Sequence, residues 1–258
     1  MIRFSIITVT FNAEKTIEKT AGSVLEQTYP YVEHLIIDGA SRDRTVLLAL
    51  DYAQQNAQAD NGHEVVIVSE PDKGLYDAMN KGLQRASGDY VLFLNAGDFL
   101  SACDTLETVA GCVGEGEELP AVLYGETDVV DQDYHFVRHR RLSAPDQLTW
   151  HSFRNGMLVC HQAFYARTDI ARPIQYDLRF RHSADIDWCI RVMKEAEERG
   201  LPLRNVHVVV ANFLEGGDSV VNHKESLKER FRIMCRHYGT LQTVFLHAWF
   251  VLRALLKR

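Results

Sequence analysis

The stretch Ser69 to Asp98, SEPDKGLYDAMNKGLQRASGDYVLFLNAGD, decides how the rest of the chain is read. It opens on a turn in which Pro71 fixes φ and Asp72 and Gly74 suit a tight bend. The spacing of Leu75, Met79, Leu83 and Ala86 predicts a helix from Leu75 to Ala86 with those side chains inward. Ser87-Gly88 stops it, and the apolar run Tyr90 to Leu94 reads as a buried strand. That strand empties into Asn95-Ala96-Gly97-Asp98. Ligands of open α/β sheets bind beyond the carboxyl ends of the strands, so Asp98 stands where chemistry is expected. By position alone, Asp98 suits a helix N-cap or a turn equally well.

The same arrangement recurs upstream. A strand from Phe4 to Thr8 ends at Val9-Thr10-Phe11-Asn12, one from His34 to Ile37 ends at Asp38-Gly39-Ala40-Ser41, and one from Glu64 to Val68 ends at Ser69-Glu70-Pro71-Asp72. Four strands thus end in polar or acidic clusters, all on one edge of the expected sheet. Between them, Ala13 to Gln27 reads as a helix with Ile17, Ala21, Val24 and Leu25 inward. Arg42 to Gln58 reads as a second, with Val46, Leu47, Leu50 and Ala53 inward.

Taken together in order and spacing, SIITVTFN, IIDGASRDRT, SEPDKGLYDAMNKG and GDYVLFLNAGD resemble the inverting family-2 glycosyltransferases with a GT-A fold. The likeness is greatest to bacterial members that build capsule, colanic-acid-type or other cell-surface polysaccharides. It covers residues 1–100 closely and runs on more loosely to about residue 220. It implies an α/β, Rossmann-like domain over residues 1–218: a central, mostly parallel sheet flanked by helices. Residues 1–100 would bind the nucleotide sugar, 101–218 would form the acceptor side, and 219–258 would be a C-terminal helical extension.

The resemblance also assigns residues. Thr10 and Asn12 match the family's threonine–aromatic–asparagine, although Val9 replaces its usual proline. Asp38 would contact the base or ribose, and Asp72 would lie at the nucleotide pocket. Asn80 matches the family's asparagine on the next helix, with Met79 where an arginine is common. The family's Asp-X-Asp binds a divalent cation through the donor diphosphate; here Asn95 and Gly97 take its two places and Asp98 follows. Mg²⁺ or Mn²⁺ would therefore be held mainly by Asp98, since a hard cation bound through substrate phosphates manages with one or two carboxylates. His161-Gln162 matches a pair on the acceptor side. Asp185, in Ser183-Ala184-Asp185, aligns with the catalytic base, with Asp187 the alternate. Phe213 followed by Gly216-Gly217-Asp218-Ser219 matches a loop near the diphosphate.

Plainer readings stand beside several of these. Asp38 is also a good turn residue, His161 in an apolar strand is commonly just packed, and Ser183 or Asp185 suits an N-cap. Gly216 and Gly217 also suit a simple turn. Gly125 to Asp128, after an expected strand Ala121 to Tyr124, reads as a solvated turn, and His135 to Arg141 as an exposed edge strand. Cys160 beside His161 does not suggest a thiol protease, because adjacent strand residues face opposite ways and no orienter is spaced to complete the pair.

Composition sets outer bounds. The 258 residues are 46% hydrophobic and 24% charged, ordinary for a globular chain, and the net charge of −7 argues against nucleic-acid binding. Five scattered cysteines without a CxxC pair suggest free thiols in a reducing cytoplasm. No leader pattern and no run of roughly 20 apolar residues is apparent. Leu241 to Arg258, apolar on most sides and ending Lys257-Arg258, suits a helix lying on a membrane, the core or a second subunit.

The expected reaction is transfer, with inversion, from a UDP- or GDP-sugar to a hydroxyl of a glycan or polyprenyl-diphosphate-linked acceptor, at the cytoplasmic face of the membrane. A binding-only homologue would explain the altered Asp-X-Asp. A sugar nucleotidyltransferase or an NAD-dependent oxidoreductase would need a glycine-rich phosphate loop after the first strand, and Thr10 to Glu14 has no glycine.

Overall fold

A computed structural model of the chain describes residues 1–114, 118–216 and 222–256, with side chains as far as residue 249. The first half alternates strand and helix: β1 (Phe4–Thr10), α1 (Ile17–Leu25), β2 (Val32–Asp38), α2 (Thr45–Ala59), β3 (Glu64–Ser69), α3 (Leu75–Arg85) and β4 (Tyr90–Phe93). These four strands pair in parallel in the order β3-β2-β1-β4. Every residue of β1, β2 and β4 is buried, as continuous apolar runs covered on both faces require. Register then aligns the strand ends, Thr10 opposite Asp38 and Asp38 opposite Ser69.

The second half extends the sheet with mixed polarity. It contains β5 (Phe99–Leu100), α4 (Thr105–Gly111), β6 (Val122–Val130), β7 (Phe136–His139), β8 (Phe164–Arg167), α5 (Thr168–Ala171), α6 (Ala184–Glu198) and β9 (Leu203–Leu214), followed by α7 (His223–Tyr238) and α8 (Thr240–Leu256). Antiparallel β8 joins β4 to β6, β9 runs parallel to β6, and β5 closes the order antiparallel to β9. The parallel half therefore delivers its strand ends to one edge, and the mixed half builds a wall beside them.

Several expectations shift in detail. Gly125 to Asp128 is no turn: β6 continues through it with register shifts against β9 around Glu126. Asn212 to Leu214, expected in a loop, completes β9. Turn-type residues mask both; at Gly125 the register shift tolerates them inside a strand. On α2 the buried residues are Thr45, Ala49, Tyr52 and Asn56, while Leu47 and Leu50 are exposed. The Tyr52 hydroxyl meets the buried His34 ring nitrogen Nδ1 at 2.8 Å, and this polar pairing fixes the inward face against simple hydrophobicity.

One core dominates. Within it Tyr76 stacks on Tyr176 (centroids 5.3 Å) and Tyr176 on Trp188 (5.0 Å), with the edge of Phe93 against the last two rings. This ladder locks α3 to α6 across the face of the sheet.

Candidate active site

Each of the four parallel strands is followed by a turn holding a residue at positive φ: Asn12 (50°), Ala40 (60°), Gly74 (115°) and Gly97 (105°). Left-handed backbone in Asn or Ala is costly and gathers where function demands it. Cross-links hold these turns. The Arg42 amide donates to Asn12 Oδ1 at 2.9 Å, and the Asn12 amide to Ser41 Oγ at 2.8 Å.

Asp38 anchors the cluster from below. It is buried and accepts from Thr10 Oγ1 (3.0 Å), Ser41 N (2.9 Å), Ser41 Oγ (2.5 Å) and Ser69 Oγ (2.6 Å). Burial pushes its carboxyl up, but these bonds, led by Ser41 and Ser69, outweigh it and hold the group below the usual range. Four donors match the acceptor capacity of one carboxylate. Asp38 and Thr10 thus shape three strand ends, with the Asp38 carboxylate filled by these four donors. Above them Phe11 is 65% exposed. A Cβ on Gly39 would displace the Asp72 carboxylate and lie 3.4 Å from the Phe11 ring. Asp72 also accepts from the Gly74 amide at 2.7 Å. Phe11, Gly39 and Asp72 form an open cradle.

Asn80 is committed elsewhere. Its amide donates to Tyr176 O at 3.0 Å and accepts from Tyr176 N at 2.7 Å, so it ties α3 to the segment before α6.

The turn from Asn95 to Asp98 is held by Thr20 of α1, whose hydroxyl donates to Asp98 O at 2.7 Å and accepts from Gly97 N at 2.9 Å. A Cβ on Gly97 would meet Leu214 at 2.9 Å. The Asp98 carboxylate is buried and accepts from Gln162 Nε2 (2.9 Å) and Leu214 N (3.1 Å). Burial pushes it up to about 6, with the Leu214 amide, His161 and Gln162 pulling against it. Asn95 Oδ1 is buried without a hydrogen-bond partner. An orphaned amide oxygen in the same turn as a buried carboxylate that meets only neutral donors is the chemistry a hard divalent cation uses. These residues fit Mg²⁺ or Mn²⁺. A second carboxylate–histidine cluster, Asp131, Asp133 and His135, lies in the solvent-facing β6–β7 turn, where Asp131 Oδ1 already accepts the Asp133 and His135 amides.

His161 and Gln162 lie on a 3-10 turn before β8, not on a strand. The adjacent side chains divide their work: Gln162 holds Asp98, while His161 Nε2 faces the Asn95 amide at 3.2 Å. With that amide donating, the imidazole proton sits on Nδ1, which lies 3.5 Å from Asp185 Oδ2. Tyr76, the end ring of the aromatic ladder, donates its hydroxyl to Asp185 Oδ1 at 3.2 Å. Burial pushes Asp185 up, but His161, Arg230 and the Ile186 amide bring it below the ordinary carboxylate range. Asp185 stands in the first turn of α6, and Ser183 occupies the N-cap position without a side-chain cap bond. The Cys160 thiol is pushed up by burial, which agrees with rejecting it as a nucleophile.

The side chain of Asp187, the alternate base, is 0% exposed and enclosed by Arg191 Nε (2.7 Å), His237 Nε2 (2.8 Å) and Arg236 (3.5 Å), so it fastens α6 to α7. Gly216 is exposed at positive φ after β9; Gly217 lies outside the described residues. Sequence reading missed Tyr76, Thr20 and Ser69. Tyr76 sits in the motif Gly74-Leu75-Tyr76-Asp77, but the apolar spacing assigns the inward face to Leu75, which is half-exposed. An open cleft of about 580 Å³ lined by Gly88, Asp89, Arg167, Asp169 and Arg172 flanks the start of β4, away from these turns.

A sequence profile of glycosyl transferase family 2 matches residues 5–172. The chain belongs to this family. It is 35% identical over 228 residues to a PGL/p-HBAD biosynthesis glycosyltransferase of Mycobacterium tuberculosis, covering 87% of this chain and 82% of that one. Its fold is similar to that of S. aureus TarS residues 1–349 in complex with UDP, with a TM-score of 0.69 at 18% identity over 97% of this chain and 71% of that one. It is similar too to the mannosyltransferase PcManGT from Pyrobaculum calidifontis in complex with GDP-Man and Mn²⁺, with a TM-score of 0.63 at 17% identity over 95% and 70% of the two chains. The family-2 chain thus has the expected GT-A fold, a mixed α/β sheet with flanking helices.

Proposed function

We propose that this family-2 glycosyltransferase moves a sugar, with inversion, from a nucleotide-diphosphate sugar to a hydroxyl of a lipid-linked glycan in cell-surface polysaccharide or glycolipid biosynthesis. The carrying observation is the bridge from Asn95 through His161 to Asp185, which couples the turn that fits a cation to an ionised carboxylate. The family resemblance suggests a UDP- or GDP-sugar, and the bound nucleotides of TarS and PcManGT support one.

In this reading the nucleoside rests in the cradle of Phe11, Gly39 and Asp72. Thr10, Asn12 and Asp38 fix the shape of that cradle, and Asn80 fixes the helix beyond it. Asp98 and Asn95 Oδ1 would hold Mg²⁺ or Mn²⁺, which when bound would offset charge on the leaving diphosphate. Gln162 and the Leu214 amide orient Asp98. Asp185 accepts the proton of the attacking hydroxyl on the face opposite the leaving group, as an inverting displacement requires. Tyr76 and His161 each bind one oxygen of Asp185 and so aim it. A lipid-linked acceptor places the protein at the cytoplasmic face of the membrane.

The test is transfer from a panel of UDP-, GDP- and dTDP-sugars to a lipid-linked acceptor extract. One donor supporting transfer by the wild type, and not by Asp185→Asn, is the expected result. Equal transfer by both would overturn the role of Asp185.

A further inference from the structure

Helix α8 carries its apolar side outward. Thr243 is buried, Leu246 packs on the core, and the His247 ring meets Phe231 of α7 at 5.1 Å, so this face looks inward. The opposite face bears Leu241, Val244, Phe245 and Trp249 at i, i+3, i+4, i+8 spacing, exposed by 79, 49, 75 and 55%. A helix at home on a protein surface turns such a stripe toward the core. Here it points away.

Charge identifies the occupant. Residues 223–258 hold eight Lys and Arg against two Glu, a net of +6; the 222 residues before them hold twenty against thirty-three, −13, which together give the chain's −7. Lys224, Lys228, Arg232 and Arg236 repeat every four residues along α7, all exposed, with Lys228 paired to Glu225 and Arg236 to Asp177. An anionic lipid surface would repel the acidic body and attract only this end, whereas a second copy would bring like charge against like. No helix among the described residues is long and apolar enough to cross a membrane.

We infer that α7 and α8 form a docking surface for an anionic lipid bilayer. Helix α8 lies in the interface with Leu241, Val244, Phe245 and Trp249 at the acyl boundary, and the basic side chains meet the headgroups. The surface is fastened to the chemistry. Glu229 of α7 accepts the amides of Arg181 (2.8 Å), His182 (2.8 Å) and Ser183 (3.1 Å), the residues leading into α6 and Asp185. The inference deepens the lipid-linked acceptor of the preceding reading, and its test reads lipid binding alone.

The full chain is sedimented with sucrose-loaded vesicles of phosphatidylcholine, with and without phosphatidylglycerol, at low and high salt, with intrinsic tryptophan fluorescence as a second readout. The wild type should bind the anionic vesicles with a blue shift absent from Trp249→Phe, and should lose about tenfold in affinity on raising the salt. Phe245→Glu with Trp249→Glu should bind about tenfold more weakly while keeping the wild-type melting temperature and nucleotide-sugar binding. Absence of wild-type vesicle binding, or binding indifferent to these substitutions, overturns the inference and leaves the transferase reading standing. A dimer in solution that the same substitutions dissociate, and that ignores vesicles, assigns the stripe to a second copy instead.

Discussion

His161 Nδ1 lies 3.5 Å from Asp185 Oδ2, while its other ring nitrogen faces the Asn95 amide at 3.2 Å. One imidazole therefore spans the cation-fitting turn and the proposed base. The two halves of the reaction would otherwise sit on separate parts of the sheet.

Tyr76→Phe deletes one of the two side-chain groups that aim Asp185 and leaves the aromatic ladder stacked. The expected effect is a fall in kcat of about tenfold, in the range of a lost hydrogen bond to a charged group, with donor KM and melting temperature nearly unchanged. Steady-state kinetics beside a thermal melt check it; a large rise in donor KM would show that Tyr76 serves the nucleotide side.

Asp187→Ala should behave as a stability variant. Removing one partner from a buried ionic cluster costs about 3 kcal/mol or more, on the order of 10 °C in Tm for a domain of this size. Variant that remains folded at low temperature should keep a kcat within a few-fold of wild type. A normal Tm with abolished turnover would return Asp187 to the list of catalytic candidates.

Gly97→Ala tests the turn itself. The residue sits at φ 105°, and the added methyl would press on Leu214, whose amide holds Asp98. Metal-dependent nucleotide binding should weaken by about tenfold or more, because strain of about 1–3 kcal/mol falls on that one turn. Isothermal titration with UDP and Mn²⁺, or the nucleotide the donor panel selects, measures it.

Acidification should destabilise the fold through His34. Its ring lies between Thr8 Oγ1 (2.9 Å) and the Tyr52 hydroxyl (2.8 Å), and burial lowers it from 6.5 to about 3. Between those pH values the unfolded chain binds the proton and the folded chain does not. Stability is full above about 6.5 and falls by up to about 1.4 kcal/mol per unit below it. Urea melts at pH 7 and pH 5 should show the loss, and His34→Gln should flatten the difference attributable to this group.

The first four strands were legible because each is an apolar run ending in a turn, and parallel pairing carries that pattern directly into the strand-end clusters at Thr10, Asp38, Asp72 and Asp98. The place of Asp185 in the first turn of α6 was legible because the apolar spacing marks a helix start there. What escaped the sequence is whatever depends on long-range pairing. Asp187 looks as available as Asp185 until α7 folds its His237 over it. Tyr76 reads as a flank of the apolar stripe until Tyr176 and Trp188 stack beneath it. Gly125 and Asn212 read as turn residues because local composition carries no information about the distant pairing of β6 with β9.

The most direct measurement is nucleotide-sugar binding and transfer by wild type, Asp98→Ala and Asp185→Asn, with Mn²⁺ and with EDTA. Wild type and Asp185→Asn should bind the same donor with similar affinity in Mn²⁺, and Asp98→Ala should lose that metal-dependent binding. Transfer should fall by about 10²–10⁴ in Asp185→Asn, the usual contribution of a general base. If no nucleotide sugar binds the wild type, or if Asp98→Ala binds and transfers as well as wild type, the assignment of donor turn and base is wrong.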